Sequence, residues 1–211
     1  MRTDQFIRAI AADVERTRPV EVALPRTLLA SAVIVGAAFL ILVGPRSDFG
    51  VVASSANVLL KQVFPVILAI GAFGAVVRVA RPAARVGGWS ALLTAVPLVL
   101  LTAVAAELMQ KPKQDWYSGL VGQTLWFCLT VIPLMSLPIL AISLWILRRG
   151  ASTRPPVAGA LAGLMSGGVA TALYAIHCTE DSPLFYVTWY SLAILLVTAV
   201  GAALGSQVLR W

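Results

Sequence analysis

The side chains able to do chemistry are few, and they crowd together. The stretch "YAIHCTEDSPLF", residues 174–185, holds the single histidine, His177, then Cys178, one of two cysteines, then Glu180 and Asp181. The other cysteine, Cys128, lies upstream within an apolar run, and Met109 adds a thioether in a polar segment before it. Thiolate, imidazole and thioether together suit soft ions such as copper, zinc or cadmium. Two thiols facing an oxidising compartment can also pair as a disulfide. A free cysteine is often no more than a small buried hydrophobe. The residue types leave all three readings open. Glu180 and Asp181 are weaker ligands, acceptors for a ligand's free N–H, or simply charges that solvate the loop.

The elements that must position these residues are membrane helices. The chain has 211 residues, 59% hydrophobic and 12% charged, against about half apolar and a quarter charged in soluble domains. A span takes about 20 apolar residues, and six runs qualify: 27–43, 62–77, 88–106, 120–147, 157–176 and 184–208. Backbone groups in lipid must be satisfied within the segment, so the expected fold is all-α, a polytopic bundle of six transmembrane helices. The first 26 residues have no apolar core of a cleavable signal. They form a separate arm, residues 1–26, ahead of a membrane domain, residues 27–211.

Orientation follows from charge. With the N-terminus in the cytoplasm, only Arg46, Lys61, Lys111 and Lys113 of the 16 Lys and Arg fall outside, leaving twelve inside. That asymmetry in short loops puts both termini in the cytoplasm. It also accounts for the net charge of +7 without a nucleic-acid partner. The expected outer loops are 44–61, 107–119 and 177–183, and the spans between loops carry no ionisable side chain deep in their cores. Counting about 20 residues along the fifth run ends at Ile176, and counting back from Leu147 reaches Cys128. Both cysteines therefore stand at the outer boundary, within about one helical turn, ~5 Å, of the same depth. Met109 reaches the same height. Cys178, in the loop, is expected to meet an impermeant thiol reagent readily, and Cys128 less so.

Gly159, Gly163 and Gly167, and again Gly201 and Gly205, recur every fourth residue, which lines one helix face with small residues and permits close packing. Whether the chain also forms a homodimer is left open. Walker A, HExxH, GxSxG and CxxC motifs are missing, and with them the main signatures of an enzyme. In the arm, Thr3 or Asp4 caps a helix starting near Gln5, with Phe6, Ile7, Ile10 and Val14 on one face and Arg8, Asp13, Glu15 and Arg16 elsewhere. Pro19 ends it. A helix this short is marginal alone, and its mixed-sign polar face favours a protein groove over a lipid surface.

The opening "MRTDQFIRAIAADVERTRPV", the six spans, a cysteine in the fourth and an outer cysteine before the sixth resemble the NrsF-type family of bacterial membrane anti-sigma factors. The likeness covers essentially the whole chain. It implies an inner-membrane protein that sequesters an extracytoplasmic-function (ECF) sigma factor through residues 1–20, with Phe6, Ile7, Ile10, Asp13 and Val14 as contacts. It also implies release when a metal or oxidant acts on Cys128 and Cys178, with His177 as a further donor and Met109 as a weak one. No resident cofactor is required; a soft metal ion would be the signal. The alternatives from other classes are a small metal transporter or permease accessory and a membrane thiol oxidoreductase.

Overall fold

The structure, a computed structural model, describes residues 3–12, 20–81, 87–150 and 152–210. Among the described residues the elements are all helical: α1 Thr3–Ala12, α2 Val20–Leu42, α3 Phe49–Val52, α4 Ala56–Val79, α5 Trp89–Gln110, α6 Trp116–Val121, α7 Leu125–Leu147, α8 Pro155–Ala175 and α9 Pro183–Val208. A 3-10 turn, Lys113–Asp115, leads into α6. The helices α2, α4, α5, α7, α8 and α9 are each long and apolar enough to cross a membrane, as hydropathy predicts.

Their ends shift from the predicted positions for identifiable reasons. Helix α2 starts at Val20 instead of 27 and carries Pro25 inside it. Its first turn is tied down by the ion pair of Glu21 with Arg81, just beyond α4, and Thr27 Oγ1 donates back to the Ala23 carbonyl at 2.9 Å. Helix α4 starts at Ala56, where Ser55 Oγ accepts from the Val58 N–H, so Lys61 lies in the helix and not in a loop. Helix α5 runs on to Gln110 and takes Glu107 with it. The fourth span breaks at Gly122, whose φ is +53°, and a Cβ there would lie 2.8 Å from the Phe185 ring. Hence α6 and α7 are separate, and α7 begins at Leu125 instead of 120.

Helix α8 is the central strut. Its small residues, among them Gly159, Ala162, Gly163, Gly167 and Gly168, are buried, and α9, α4 and α7 all pack on it. The expected glycine face is real: a Cβ on Gly159 would stand 2.1 Å from the Gly201 carbonyl oxygen, and one on Gly163 would stand 2.5 Å from that of Val197. Gly168 packs against α4, where a Cβ would stand 2.9 Å from the Pro65 carbonyl oxygen. Lipid offers no hydrophobic drive for helix association, so such close backbone packing is what holds the bundle. Helices α2 and α5 flank it and turn Leu29, Ile34, Leu98 and Leu101 outward. Two apolar clusters fill the interior. One lies at the end holding the cysteines, with Phe39, Phe64, Ile132, Tyr174, Phe185 and Tyr190. The other lies toward the opposite end, with Leu24, Val76, Leu144, Met165 and Leu209.

Helix α1 stands apart in character. Its described side chains, Thr3, Asp4, Gln5, Ile7 and Arg8, are all exposed, Ile7 by 58%. The side chains of Phe6 and Ile10, and the whole of Asp13 and Val14, lie outside the described residues.

Candidate functional site

The two cysteines lie in one buried apolar cluster as electrostatic neighbours, with Thr124 beside them. This residue precedes α7, and its carbonyl accepts from the Cys128 N–H at 2.9 Å. Its side-chain oxygen lies 4.0 Å from the Cys178 sulfur. Cys178 arrives from the other side, at the last turn after α8, where its N–H donates to the Tyr174 carbonyl at 3.1 Å. Both cysteines are free thiols. Cys128 is 0% exposed and Cys178 is 1% exposed. The expectation that a loop position would leave Cys178 open to reagents is therefore corrected: Thr179 beside it is exposed, but its own side chain turns inward.

The walls of this chamber are aromatic. Tyr174, Tyr186 and Tyr190 are fully buried, and their hydroxyls, with that of Thr171, have no hydrogen-bond partner. The phenols of Tyr174 and Tyr190 are electrostatic neighbours of Cys178 without meeting hydrogen-bond geometry. Buried polar groups are normally paired, so the phenols of Tyr174 and Tyr190 have spare hydrogen-bonding capacity beside the two sulfurs. His177 is oriented elsewhere. Its ring packs against Phe39 and Phe127, and its Nδ1 lies 2.8 Å from the Gly44 carbonyl. A carbonyl only accepts, so Nδ1 carries the proton and Nε2 keeps the free lone pair. Met109 is 88% exposed at the end of α5; height alone does not bring it to the thiols. Among the described residues, His, Cys, Asp and Glu form no group of three able to hold a metal.

A charged layer covers the chamber, and sequence reasoning missed it. Lys61, 0% exposed, donates to the carbonyl of Cys178 at 2.8 Å and that of Glu180 at 3.1 Å, and to Asp181 Oδ1 at 2.5 Å. Arg46 Nη1 donates to the same Cys178 carbonyl at 3.3 Å and to Asp181 Oδ1 at 2.8 Å, while its Nε and Nη2 hold Asp48. Burial pushes the Asp181 carboxyl upward, but the bonds from Arg46 and Lys61 outweigh it, and the net shift is below the ordinary value. Asp48 is likewise held down by its bonds to Arg46. Glu180 accepts from the Gln123 N–H at 2.7 Å. Glu107 accepts from Lys111, from Ser182 Oγ and from the Leu184 N–H, pinning the start of α9.

Residues 10–211 match the family described as "Negative regulator of sigma F". The chain belongs to the NrsF family. It is 35% identical over the full length of both chains to the "Anti-sigma-F factor NrsF" of Caulobacter vibrioides. It is 32% identical, again over the full length of both, to the "Probable anti-sigma-F factor NrsF" of Azospira oryzae. No solved structure matches it. The NrsF assignment agrees with the resemblance carried by the opening segment, the six spans and the cysteine positions, and it implies a regulatory, non-enzymatic role with a sigma factor as partner. In this NrsF chain, Cys128 and Cys178 do come together, His177 borders them with Nδ1 engaged, and Met109 stays out. Lys61, Arg46 and Asp181 were visible in the sequence only as loop charges.

Proposed function

We propose that this protein is an inner-membrane anti-sigma factor with both termini in the cytoplasm. It sequesters an ECF sigma factor through its N-terminal arm and releases it when a soft metal or an oxidant acts on Cys128 and Cys178 at the periplasmic end. The regulatory class rests on the full-length likeness to anti-sigma factors. The sensing site rests on one observation: two buried free thiols, one on α7 and one in the turn after α8, are electrostatic neighbours within one apolar cluster. Orientation rests on the twelve-to-four division of Lys and Arg, and the arm on its exposed apolar Ile7.

The donors fit some signals better than others. Two sulfurs, with no group of three His, Cys, Asp or Glu donors among the described residues, suit Cu(I), a thiophilic ion, better than Zn(II), which takes four ligands. A bound ion supplies a bond between α7 and the turn after α8. A disulfide makes the same link with no third donor. Either must bind or form better in one helix packing than the other to act on the arm. A typical coupling of about 1–3 kcal/mol changes sigma affinity roughly 5–150-fold. The test is capture by the solubilised protein. Phe6→Asp with Ile10→Asp should abolish retention of the sigma factor and leave membrane insertion intact. Retention at the wild-type level would remove the arm from the reading.

A further inference from the structure

The sensing reading sets a physical problem, because nothing reacts with a thiol it cannot reach. Cys128 and Cys178 are closed off, yet the residue directly after Cys178, Thr179, is exposed. Segment 177–183 is the cover, and polar bonds fix it. His177 is held by Gly44, Glu180 by Gln123, and Ser182 by Glu107. The firmest attachment is at Asp181, whose carboxylate is shared by Arg46 and Lys61, side chains only 3% and 0% exposed. Both cations also donate to the carbonyl of Cys178 itself. Asp181 thus neutralises the very groups that hold the cysteine's backbone. A cavity of about 450 Å³ opens beside this junction, lined by Asn57, Glu107, Lys111, Asp181 and Ser182, which brings water to the edge of the latch.

We infer that Arg46, Lys61 and Asp181 are positioning residues of the thiol site, a charged latch that sets how fast a solute gains access to Cys178 and Cys128. The latch joins three separate stretches of chain: the loop after α2, the second turn of α4 and the cover itself. Removing the carboxylate leaves buried Lys61 with no carboxylate partner and Arg46 with Asp48 alone, and a buried pair broken on one side is strongly unfavourable. The cover then spends more time open, and the thiols react faster while their own surroundings are untouched. This rests on the sensing reading only for its biological purpose. The access rate itself is a property of the purified chain.

The experiment measures the rate of N-ethylmaleimide addition to each thiol, by mass spectrometry, on the full-length protein in detergent micelles with no sigma factor present. Wild type should react far more slowly than the denatured chain. Asp181→Asn should react at least about tenfold faster, the factor expected from losing one charge-assisted hydrogen bond. Asp181→Glu, which keeps the charge, should restore most of the slow rate, and Lys113→Ala should match wild type. If Asp181→Asn fails to fold, the double variant Lys61→Met with Asp181→Leu carries neither the carboxylate nor its nearest cation and should also react faster. A wild-type rate in folded Asp181→Asn, or in the double variant, overturns the latch, as does wild-type reactivity equal to that of the denatured chain. Faster labelling with an unchanged sigma-dependent reporter in cells would uphold the latch and bring down the sensing reading instead.

Discussion

Gly159→Ala puts a single methyl group into the closest backbone contact of the bundle. Its Cβ would stand 2.1 Å from the Gly201 carbonyl oxygen and 2.7 Å from the Gly205 Cα, where ordinary contact begins at 3.4 Å. The obstacle is backbone, so no rotamer relieves it, and α8 and α9 must part by about 1.3 Å locally. Overpacking of this kind costs roughly 1–3 kcal/mol. A chain of this length loses about 2–4 °C of melting temperature per kcal/mol, which sets the expected fall at roughly 2–12 °C. Alanine also gains up to ~1 kcal/mol over glycine in a helix, so the comparison needs a glycine with free space. Gly50, in α3, has nothing within 4 Å of a built Cβ. Thermal unfolding of the two alanine variants in the same detergent gives the answer. Gly159→Ala melting with Gly50→Ala would show that the helices do not touch through their backbones, and the account of the bundle's cohesion would fail.

Cys128→Ser and Cys178→Ser should each remove nearly the whole response of a sigma-dependent reporter to copper or peroxide while repression persists, because one site needs both sulfurs; a normal response in Cys128→Ser would reduce that thiol to packing. His177→Ala should keep nearly the whole response if the two thiols act by disulfide formation, and an intermediate loss would place the imidazole among the ligands of a metal. Asp181 makes acid the vulnerable side. Its folded value lies below the ordinary 3.8, so its stabilising contribution is complete above that value and disappears as pH falls through the lower folded one. Melting temperature should therefore decline below about pH 4, and Asp181→Asn should flatten part of that decline; an identical acid limb in both would deny Asp181 the role.

Spans were legible in the sequence because hydropathy is a local property: each apolar run corresponds to one membrane-length helix. Counting along the helices at a fixed rise per residue also put Cys128 and Cys178 at the same end of the bundle, and they share one apolar cluster. Lys61 and Glu107 show where locality ends. A charged residue at the edge of an apolar run reads as a loop boundary, yet both are helical and buried. What makes burial tolerable for Lys61 is Asp181, 120 residues away, and no periodicity or motif connects the two. Cys178 reads from sequence as a loop thiol open to reagents, yet its side chain is buried while Arg46 and Lys61 hold its carbonyl. The Gly122 break was hidden similarly: its cause is the Phe185 ring and Glu180, both from the far end of the chain.

The long reach of the latch also orders events during synthesis. Lys61 belongs to the second span, but its carboxylate partner lies just ahead of the last. At about 5–20 residues per second, the 120 residues between them take roughly 6–24 s to make. Through that interval a lysine in the second turn of α4 has no Asp181 to meet, and an unpaired cation in a membrane helix is costly. The second span therefore enters provisionally, with Lys61 drawn toward the headgroups, and settles only when the final hairpin closes over it. A ribosome stalled before Asp181 would leave a nascent chain whose Lys61 still lacks the carboxylate it meets in the finished fold.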